Sequence, residues 1–241
     1  QPEIILREEA VNSAGKSPGQ LSGAGPASIQ SPEELLAYLG NSRKMERYNR
    51  IMQLKNTGAI PQILSVDTLQ DMLSGAAYRS RIITELIDNL PQPLIYGDVL
   101  AILKPARNNE RFELIKLLVD KKRIPDNLSA SRMLAITRYS ANRSDVISLL
   151  INYLPHMLTS SDVLDILKPA RNNERFELIK LLVNEKRIPD SLSTSRMLAI
   201  TRYSAKRTDV IALLINRLPQ PLEINDVLEI LKPARNNERF E

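Results

Sequence analysis

Charged residues recur in one fixed arrangement along this chain, and they are the first candidates for chemistry. In the central copy, Glu174 and Glu177 stand three positions apart, so both would lie on one face of a helix. Paired carboxylates can act as general acid and general base. The same spacing also lets Glu177 pair with Lys180 and lets Arg175 bridge to a neighbouring helix. Because an array needs the same packing contact in every repeat, we favour contacts between repeats over catalysis. The residues assigned to these contacts are Lys104, Arg107, Glu110, Arg111, Glu113, Lys168, Arg171, Glu174, Arg175, Glu177, Lys232, Arg235, Glu238 and Arg239.

Basic residues beside tyrosines form a second candidate. They stand in two related loops, each of which begins with the letters TRYS. Cationic side chains interleaved with aromatic rings can bind phosphate backbones and stacked bases. The sequence therefore indicates a basic contact patch, whose partner would be nucleic acid or an acidic protein. Its members are Arg138, Tyr139, Arg143, Arg202, Tyr203, Lys206 and Arg207.

Residues for other kinds of chemistry are scarce. The chain has no cysteine, and its one histidine, His156, is replaced by Gln92 and Gln220 at the related positions. No glycine-rich phosphate loop follows a strand-like segment. A nucleophile would have no obvious general base. The sequence predicts a protein that is not an enzyme and that has no cofactor, metal site or catalytic residue.

The elements that carry these residues are internal repeats. The segment 98–119 returns almost unchanged at 162–183 and begins again at 226, so equivalent positions stand 64 apart. Between these copies a second segment, 131–151, returns at 195–215. A fixed period of this size is typical of a stacked array. Each segment has a short apolar stretch, a polar turn and a longer apolar stretch. The period therefore contains two helix pairs, one spanning 34 positions and the other 30.

Helix boundaries and a core can be predicted within each pair. Pro169 should end a first helix, and Asn172 or Asn173 is expected to cap the second. A broad apolar stripe, which includes Ile179 and Leu182, indicates a second helix packed on two sides. The sequence therefore predicts an all-α fold, a right-handed α-solenoid over residues 31–241. The pairs begin near residues 31, 66, 96, 129, 159, 193 and 224, and the last pair is incomplete.

Residues 1–30 differ in composition from the rest of the chain. Ser, Gly, Ala, Pro and Gln dominate from Asn12 onward, as in a flexible leader. The leader's apolar residues, Ile4, Ile5, Leu6 and Val11, form a candidate assembly segment. An incomplete last pair leaves apolar surface uncovered unless the chain continues or another chain covers it. We therefore expect head-to-tail association into a filament or oligomer.

Composition and the first residue indicate the kind of partner and the location of the protein. The chain of 241 residues is 43% hydrophobic and 25% charged, and its net charge of +5 favours acidic partners. No apolar run is long enough to span a membrane. The first residue is Gln1, as it would be after removal of a signal peptide, which favours an extracellular location over others while leaving the compartment open.

Two resemblances add to these predictions. The apolar spacing of Val163, Ile166, Phe176, Ile179 and Leu182 resembles that of the DNA-reading repeats of transcription-activator-like effectors, over most of residues 96–241. This resemblance implies a helical array that binds nucleic acid. The pattern over residues 66–240 is also similar to an uncharacterised all-helical family of tandem helix pairs, often in exported proteins. That resemblance implies an all-helical fold and export, and it implies no particular activity.

The function expected from the sequence is that of a non-enzymatic structural or protein-interaction repeat protein. Its partner would be itself, as a homo-oligomer or filament, or another protein. The alternative is a helical repeat protein that binds nucleic acid without sequence preference, because the loops that carry the basic residues hardly vary between copies.

Overall fold

The structure is a computed structural model that describes residues 29–232, and this part of the chain is all-helical. No strand lies within the described range, which confirms that the fold is all-α, as predicted. The helices are α1 (Pro32–Leu39), α2 (Lys44–Asn56), α3 (Val66–Leu73), α4 (Arg79–Leu86), α5 (Tyr96–Leu103), α6 (Asn108–Asp120), α7 (Ala130–Thr137), α8 (Arg143–Leu150), α9 (Ser160–Leu167), α10 (Asn172–Asn184), α11 (Thr194–Thr201), α12 (Arg207–Leu214) and α13 (Ile224–Leu231). Short 3-10 turns follow α4, α8 and α12 at Ile87–Asn89, Ile151–Tyr153 and Ile215–Arg217.

The helices pack in two rows. Odd-numbered helices from α1 to α13 contact one another in chain order, and even-numbered helices from α2 to α12 do the same. Consecutive helices also touch across the rows, as α5 touches α6 and α9 touches α10. The buried apolar side chains form one continuous cluster that runs from Leu35 to Leu218. Every internal helix therefore has neighbours on both sides along its row, and the helices from α5 to α12 also have one across.

Side-chain caps start several of the odd-numbered helices. The hydroxyl groups of Ser31, Ser65, Ser129, Thr159 and Ser193 each accept a hydrogen bond from a backbone N–H in the first turn of the helix that follows. Such caps satisfy N–H groups that have no partner inside the helix. The odd-numbered helices thus begin at residues 32, 66, 96, 130, 160, 194 and 224, at or next to the expected pair starts.

The long even-numbered helices begin differently from the prediction. The residue before α10 is Arg171, it makes no side-chain cap, and Asn172 is the first helical residue, with a φ of 52°. The expected asparagine cap is therefore wrong. Asn tolerates the left-handed region better than most residues, and this tolerance is what the position requires. Asn108 and Lys44 have the same conformation at the starts of α6 and α2.

The apolar stripe of the second helices lies in the core. Phe176, Ile179 and Leu182 are all buried in α10, and Leu178 is buried beside them. A helix with so wide an apolar face packs on more than one side, in agreement with its contacts to α8, α9 and α12.

Candidate functional site

One buried arginine in each long helix fastens three elements together. Arg175 of α10 donates hydrogen bonds from Nε to the Ile200 carbonyl (3.0 Å) and from Nη2 to the Ala199 carbonyl (3.0 Å), both at the end of α11. Its Nη1 donates to the Leu167 carbonyl at the end of α9. Carbonyls at a helix end have no partner inside the helix, and a guanidinium can serve several of them at once. The side chain therefore joins α9, α10 and α11.

The same contact recurs in the other copies. Arg111 donates to the Ile136, Ala135 and Leu103 carbonyls, and Arg47 donates to the Met72, Asp71, Gly40 and Ser42 carbonyls. Arg175 and Arg111 are 3% and 4% exposed, so these are interior contacts. Burial lowers the pKa of both arginines, and the positive charges of Arg171 and Arg107 next to them lower it further.

A short backbone contact holds the loops of successive pairs together. The Asn172 N–H donates to the Tyr203 carbonyl (2.7 Å), and the Ala205 N–H donates to the Asn172 carbonyl (3.1 Å). The same pair of bonds links Asn108 to Tyr139 and Ala141. This contact fixes Tyr203 and Tyr139 at φ values of 65° and 66°. The two helix pairs that begin near residues 31 and 66 match the later pairs at a shift of 64 positions and are called the first copy. The related residue in the first copy is Gly75, which has a φ of 71°. A glycine would adopt this conformation without strain, so the two tyrosines occupy it at a cost.

The two strained tyrosines each lie between arginines from two different loops. Arg107 and Arg138 place their guanidinium carbons 4.4 and 4.8 Å from the centre of the Tyr139 ring. Arg171 and Arg202 lie at 4.6 and 4.9 Å from the Tyr203 ring. These distances are those of cation–π contacts. The rings remain about half exposed, at 49% for Tyr139 and 51% for Tyr203, so the contacts lie at the surface.

Each cluster forms the wall of a groove between two odd-numbered helices. Groove 1, between α5 and α7, has a volume of about 400 Å³ and an apolar floor of Leu100, Ala101 and Ala135. Its walls are formed by Lys104, Arg107, Arg138 and Tyr139.

Groove 2, between α9 and α11, is the counterpart of groove 1 and has a volume of about 590 Å³. Its floor contains Leu164, Leu198 and Ala199, and its walls are formed by Lys168, Arg171, Arg202 and Tyr203. Groove 2 also contains Asp165, where groove 1 has Ala101. Groove 1 is therefore the more cationic of the two.

The cations of both grooves lack acidic partners in the described part of the chain. Between residues 29 and 232, no carboxylate lies within ion-pairing distance of the lysines or arginines in the groove walls. Three cationic side chains at one groove repel one another and attract anions. The arrangement can thus bind carboxylates or phosphates, and guanidinium groups suit both.

The first copy of the repeat lacks this chemistry. At the positions of Lys104, Arg138 and Tyr139 it carries Gly40, Ser74 and Gly75. The buried Arg47 and the backbone contact at Lys44 are nevertheless present. Arg43 still stands at the position of Arg107, so two of the three groove cations are lost. Packing between pairs therefore does not require the lysine and the second arginine of the groove, whereas the buried arginine is kept.

The structure divides the residues that the sequence assigned to contacts between repeats. Arg111 and Arg175 join helices through carbonyls, whereas Lys104, Arg107, Lys168 and Arg171 line the grooves. The sequence alone did not place these four side chains beside the tyrosines. In the first copy, glycine replaces both the lysine and the tyrosine, and this paired replacement is the signal that links the groove lysines to the tyrosines.

The acidic members of that set lie at the even-numbered helices. Glu174 accepts a hydrogen bond from the Ser144 hydroxyl of α8 (2.9 Å), and Glu110 accepts one from Ser80 of α4. Glu177 pairs with Lys180 at 2.8 Å within α10. Glu113 lines a shallow surface groove between α4 and α6.

The predicted basic patch is also divided. Arg138, Tyr139, Arg202 and Tyr203 belong to the grooves, but Arg143 and Arg207 are the first residues of α8 and α12. Lys206 lies over the Phe176 ring at 5.1 Å. Lys232 is exposed directly after α13. Arg235, Glu238, Arg239 and the assembly segment Ile4, Ile5, Leu6 and Val11 lie outside the described residues.

A second buried arginine was not expected from the sequence. Arg187, in the loop after α10, donates from Nη1 to the Pro155 carbonyl at 2.9 Å and to the Leu154 carbonyl at 3.3 Å. Arg123, its counterpart in the preceding copy, donates to the Gln92 side chain. Their recurrence at the same repeat position, KKRIP and EKRIP, is the signal that could have identified them.

Comparisons with known proteins give no relative. No family model, no curated protein and no solved structure matches this chain. Among residues 29–232, no group of three or more His, Cys, Asp or Glu side chains could hold a metal ion. No helix within the same range is long and apolar enough to cross a bilayer.

Proposed function

We propose that this chain is a non-enzymatic structural or protein-interaction repeat protein, built as a right-handed α-solenoid with a 64-residue double repeat. The observation that carries the proposal is that the same groove occurs twice, at equivalent positions of two successive copies, on pairs joined by the same buried arginine. An array offers one contact at regular intervals along its length. Partners that repeat, including further copies of the chain, can occupy such sites together.

Head-to-tail association of copies into an oligomer or filament belongs to this proposal. A contact between different surfaces of identical chains grows into a ring or an open filament. Light scattering of the purified full chain over a range of concentrations tests it. We expect the mass to rise with concentration and to fall with added salt, because exposed cations lose attraction as the ionic strength increases. A mass that stays at that of one chain at every concentration would overturn self-assembly.

A second candidate function is binding of nucleic acid without sequence preference. It is favoured by the lysines and arginines of the grooves, which have no carboxylate partner among residues 29–232 and could contact phosphates. Filter binding of a single-stranded oligonucleotide at several salt concentrations tests it. If the grooves contact phosphates, Lys104→Ala should lower the salt slope by about one.

A matched control lies on another part of the surface. Lys116 lines the shallow groove between α4 and α6 beside Glu113 and Asp120, so Lys116→Ala should leave oligonucleotide binding and its salt slope unchanged. If no oligonucleotide is retained at low salt, nucleic-acid binding is excluded.

A further inference from the structure

Groove 1 combines a cationic wall with an apolar floor. The floor consists of Leu100, Ala101 and Ala135, and the wall contains Lys104, Arg107 and Arg138. A phosphate backbone would satisfy the cations and leave the floor uncovered. A peptide whose carboxylates alternate with apolar side chains would satisfy both. Charge and apolar area together therefore favour an acidic, apolar peptide as the occupant.

The aromatic ring in groove 1 supports the same choice. The Tyr139 ring already contacts the guanidinium groups of Arg107 and Arg138 at 4.4 and 4.8 Å. A base that stacked on this ring would have to compete with both arginines for its faces. A carboxylate instead approaches the edges of the guanidinium groups, where the N–H donors point.

Part of the wall is held in place before any ligand arrives. Arg107 donates from Nη1 to the Lys104 carbonyl at 2.6 Å and to the Ala106 carbonyl at 2.9 Å. These bonds fix the guanidinium group, and its Nε and Nη2 are left to bind an acid. A side chain that is ordered in advance loses less entropy when a ligand binds.

The chain itself contains a segment of the required chemistry. Residues 3–11 read EIILREEAV, in which three acids, Glu3, Glu8 and Glu9, outnumber one cation, Arg7, and stand among Ile4, Ile5, Leu6 and Val11. Residues 12–30, which contain Lys16 and no acidic residue, separate this segment from the helical repeats. The charge of the segment is therefore complementary to the grooves.

The spacing of its acids suits the spacing of the grooves. Two helix layers separate groove 1 from groove 2 within the odd-numbered row, which corresponds to roughly 16 to 20 Å at ordinary helix spacing. An extended chain advances about 3.3 Å per residue, so five or six positions, the separation of Glu3 from Glu8 and Glu9 in the sequence, would span roughly 17 to 20 Å in an extended segment. One extended segment can thus reach both grooves.

We propose that residues 3–11 of one copy bind the two grooves of a second copy. Glu8 and Glu9 occupy groove 1, which is the more cationic, and Glu3 occupies groove 2, where Asp165 reduces the positive charge. The inference rests on the proposed self-assembly and names the surfaces that form its contact. The apolar residues between the acids contact the apolar floor residues of the two grooves.

Cross-linking between two single-cysteine variants tests the contact, since the natural chain has no cysteine. Full-length Ala10→Cys is mixed with full-length Ala135→Cys, and the mixed disulfide is quantified by mass spectrometry under mild oxidation. Asp71→Cys replaces Ala135→Cys in the control, because Asp71 is the equivalent residue in the first copy, where Gly40 and Ser74 replace the lysine and one arginine of the groove. We expect the Ala135→Cys mixture to cross-link at least about tenfold faster, since contacts to charged groups are worth at least that factor.

Two sets of substitutions should remove the difference in cross-linking rate between the Ala135→Cys and Asp71→Cys mixtures. Arg138→Ser with Tyr139→Gly gives groove 1 the first-copy residues at these two positions, and glycine accepts the positive φ of position 139 without strain. Glu8→Lys with Glu9→Lys reverses the charge of the segment. Each set should reduce cross-linking to the level of the Asp71→Cys control, while circular dichroism shows that the helical content is retained.

The outcomes separate this inference from the proposed function. If light scattering shows assembly of the natural chain but the substitutions leave assembly and cross-linking unchanged, the contact lies elsewhere and this inference is wrong. A double variant, Ala10→Cys with Ala135→Cys, that closes its disulfide within single chains would also overturn it. Competition by a single-stranded oligonucleotide, without competition by a synthetic peptide of residues 1–11, would assign the grooves to nucleic acid. If the natural chain does not assemble at all, the proposed self-assembly fails as well.

Discussion

Arg175 shows how a single charged side chain can stabilise the packing of three helices. It is buried without an acidic partner in the described part of the chain, and its charge is balanced by carbonyl groups of α9 and α11. The carbonyl ends of helices carry partial negative charge, so a cation there is favourable. Because arginine remains protonated at all ordinary pH values, the lowered pKa of Arg175 creates no pH dependence near neutrality.

The fork of the guanidinium group is essential for this contact. We expect Arg175→Lys to lower the free energy of unfolding by about 2 to 4 kcal/mol, because an ammonium group cannot reach carbonyls on two helices and leaves buried acceptors unsatisfied. Arg196→Lys is the control, since Arg196 is exposed on α11, and surface changes usually stay within about 0.5 kcal/mol. Urea denaturation measures both. Equal stabilities of the two variants would contradict the role assigned to Arg175.

The core can be tested at Ile179, which is fully buried in α10. Ile179→Ala should cost about 2 to 5 kcal/mol, because it removes buried methyl groups and leaves a cavity. The same substitution at Ile63, which is 79% exposed, should have little effect. Thermal unfolding followed by circular dichroism compares the two. An unchanged melting temperature for Ile179→Ala would show that the assigned helix face is wrong.

Residue types predicted the core more completely than the polar contacts. Phe176, Ile179 and Leu182 repeat at helical spacing, and the hydrophobic effect needs only that pattern to place them inside. The positions of Arg107 and Arg171 depend on contacts with tyrosines of the next helix pair. Such pairings depend on how the loops meet in space, and the helical period carries no information about them.

At the level of elements, the starts of the two kinds of helix follow different rules. Short odd-numbered helices such as α11 begin with a hydroxyl cap at Ser193, and serine is among the residues that favour this position. The long helices begin with a residue in the left-handed region whose backbone bonds to the next loop. Asn occurs at both caps and left-handed positions, so the sequence KPARNN could not distinguish the two roles.

Substitutions at Asn172 distinguish a side-chain cap from a left-handed backbone position. Asn172→Gly should leave stability nearly unchanged, because glycine adopts a φ of 52° freely. Asn172→Ser should cost about 1 kcal/mol, because serine can cap a helix but is unfavourable in the left-handed region. Urea denaturation of both variants gives the comparison. If serine were tolerated and glycine were not, the side chain would be acting as a cap.

At the scale of the whole molecule, the two rows of helices bring together residues that are close in sequence. Each internal helix contacts the neighbours before and after it in its row, and the helices from α5 to α12 also contact the other helix of their pair. In an array of this kind, stability is approximately a sum of the stabilities of the pairs and of the interfaces between them. The proposed solenoid therefore predicts a behaviour that a single globular core does not. If one interface is weakened, the parts of the chain on its two sides should unfold separately.

A substitution at Arg111 should weaken one interface between helix pairs, because this side chain joins the ends of α5 and α7 through the Leu103, Ala135 and Ile136 carbonyls. We expect the natural chain to unfold in one transition in urea and Arg111→Met to unfold in two. Each step should have a smaller m-value than the single transition, since m increases with the surface exposed on unfolding. Arg175→Met moves the weakened interface to the equivalent position in the next copy of the repeat, so the relative sizes of the two steps should change between the variants. One transition with an unchanged m-value in both variants would show that the chain unfolds as one globular unit, and the solenoid would then be the wrong description of its energetics.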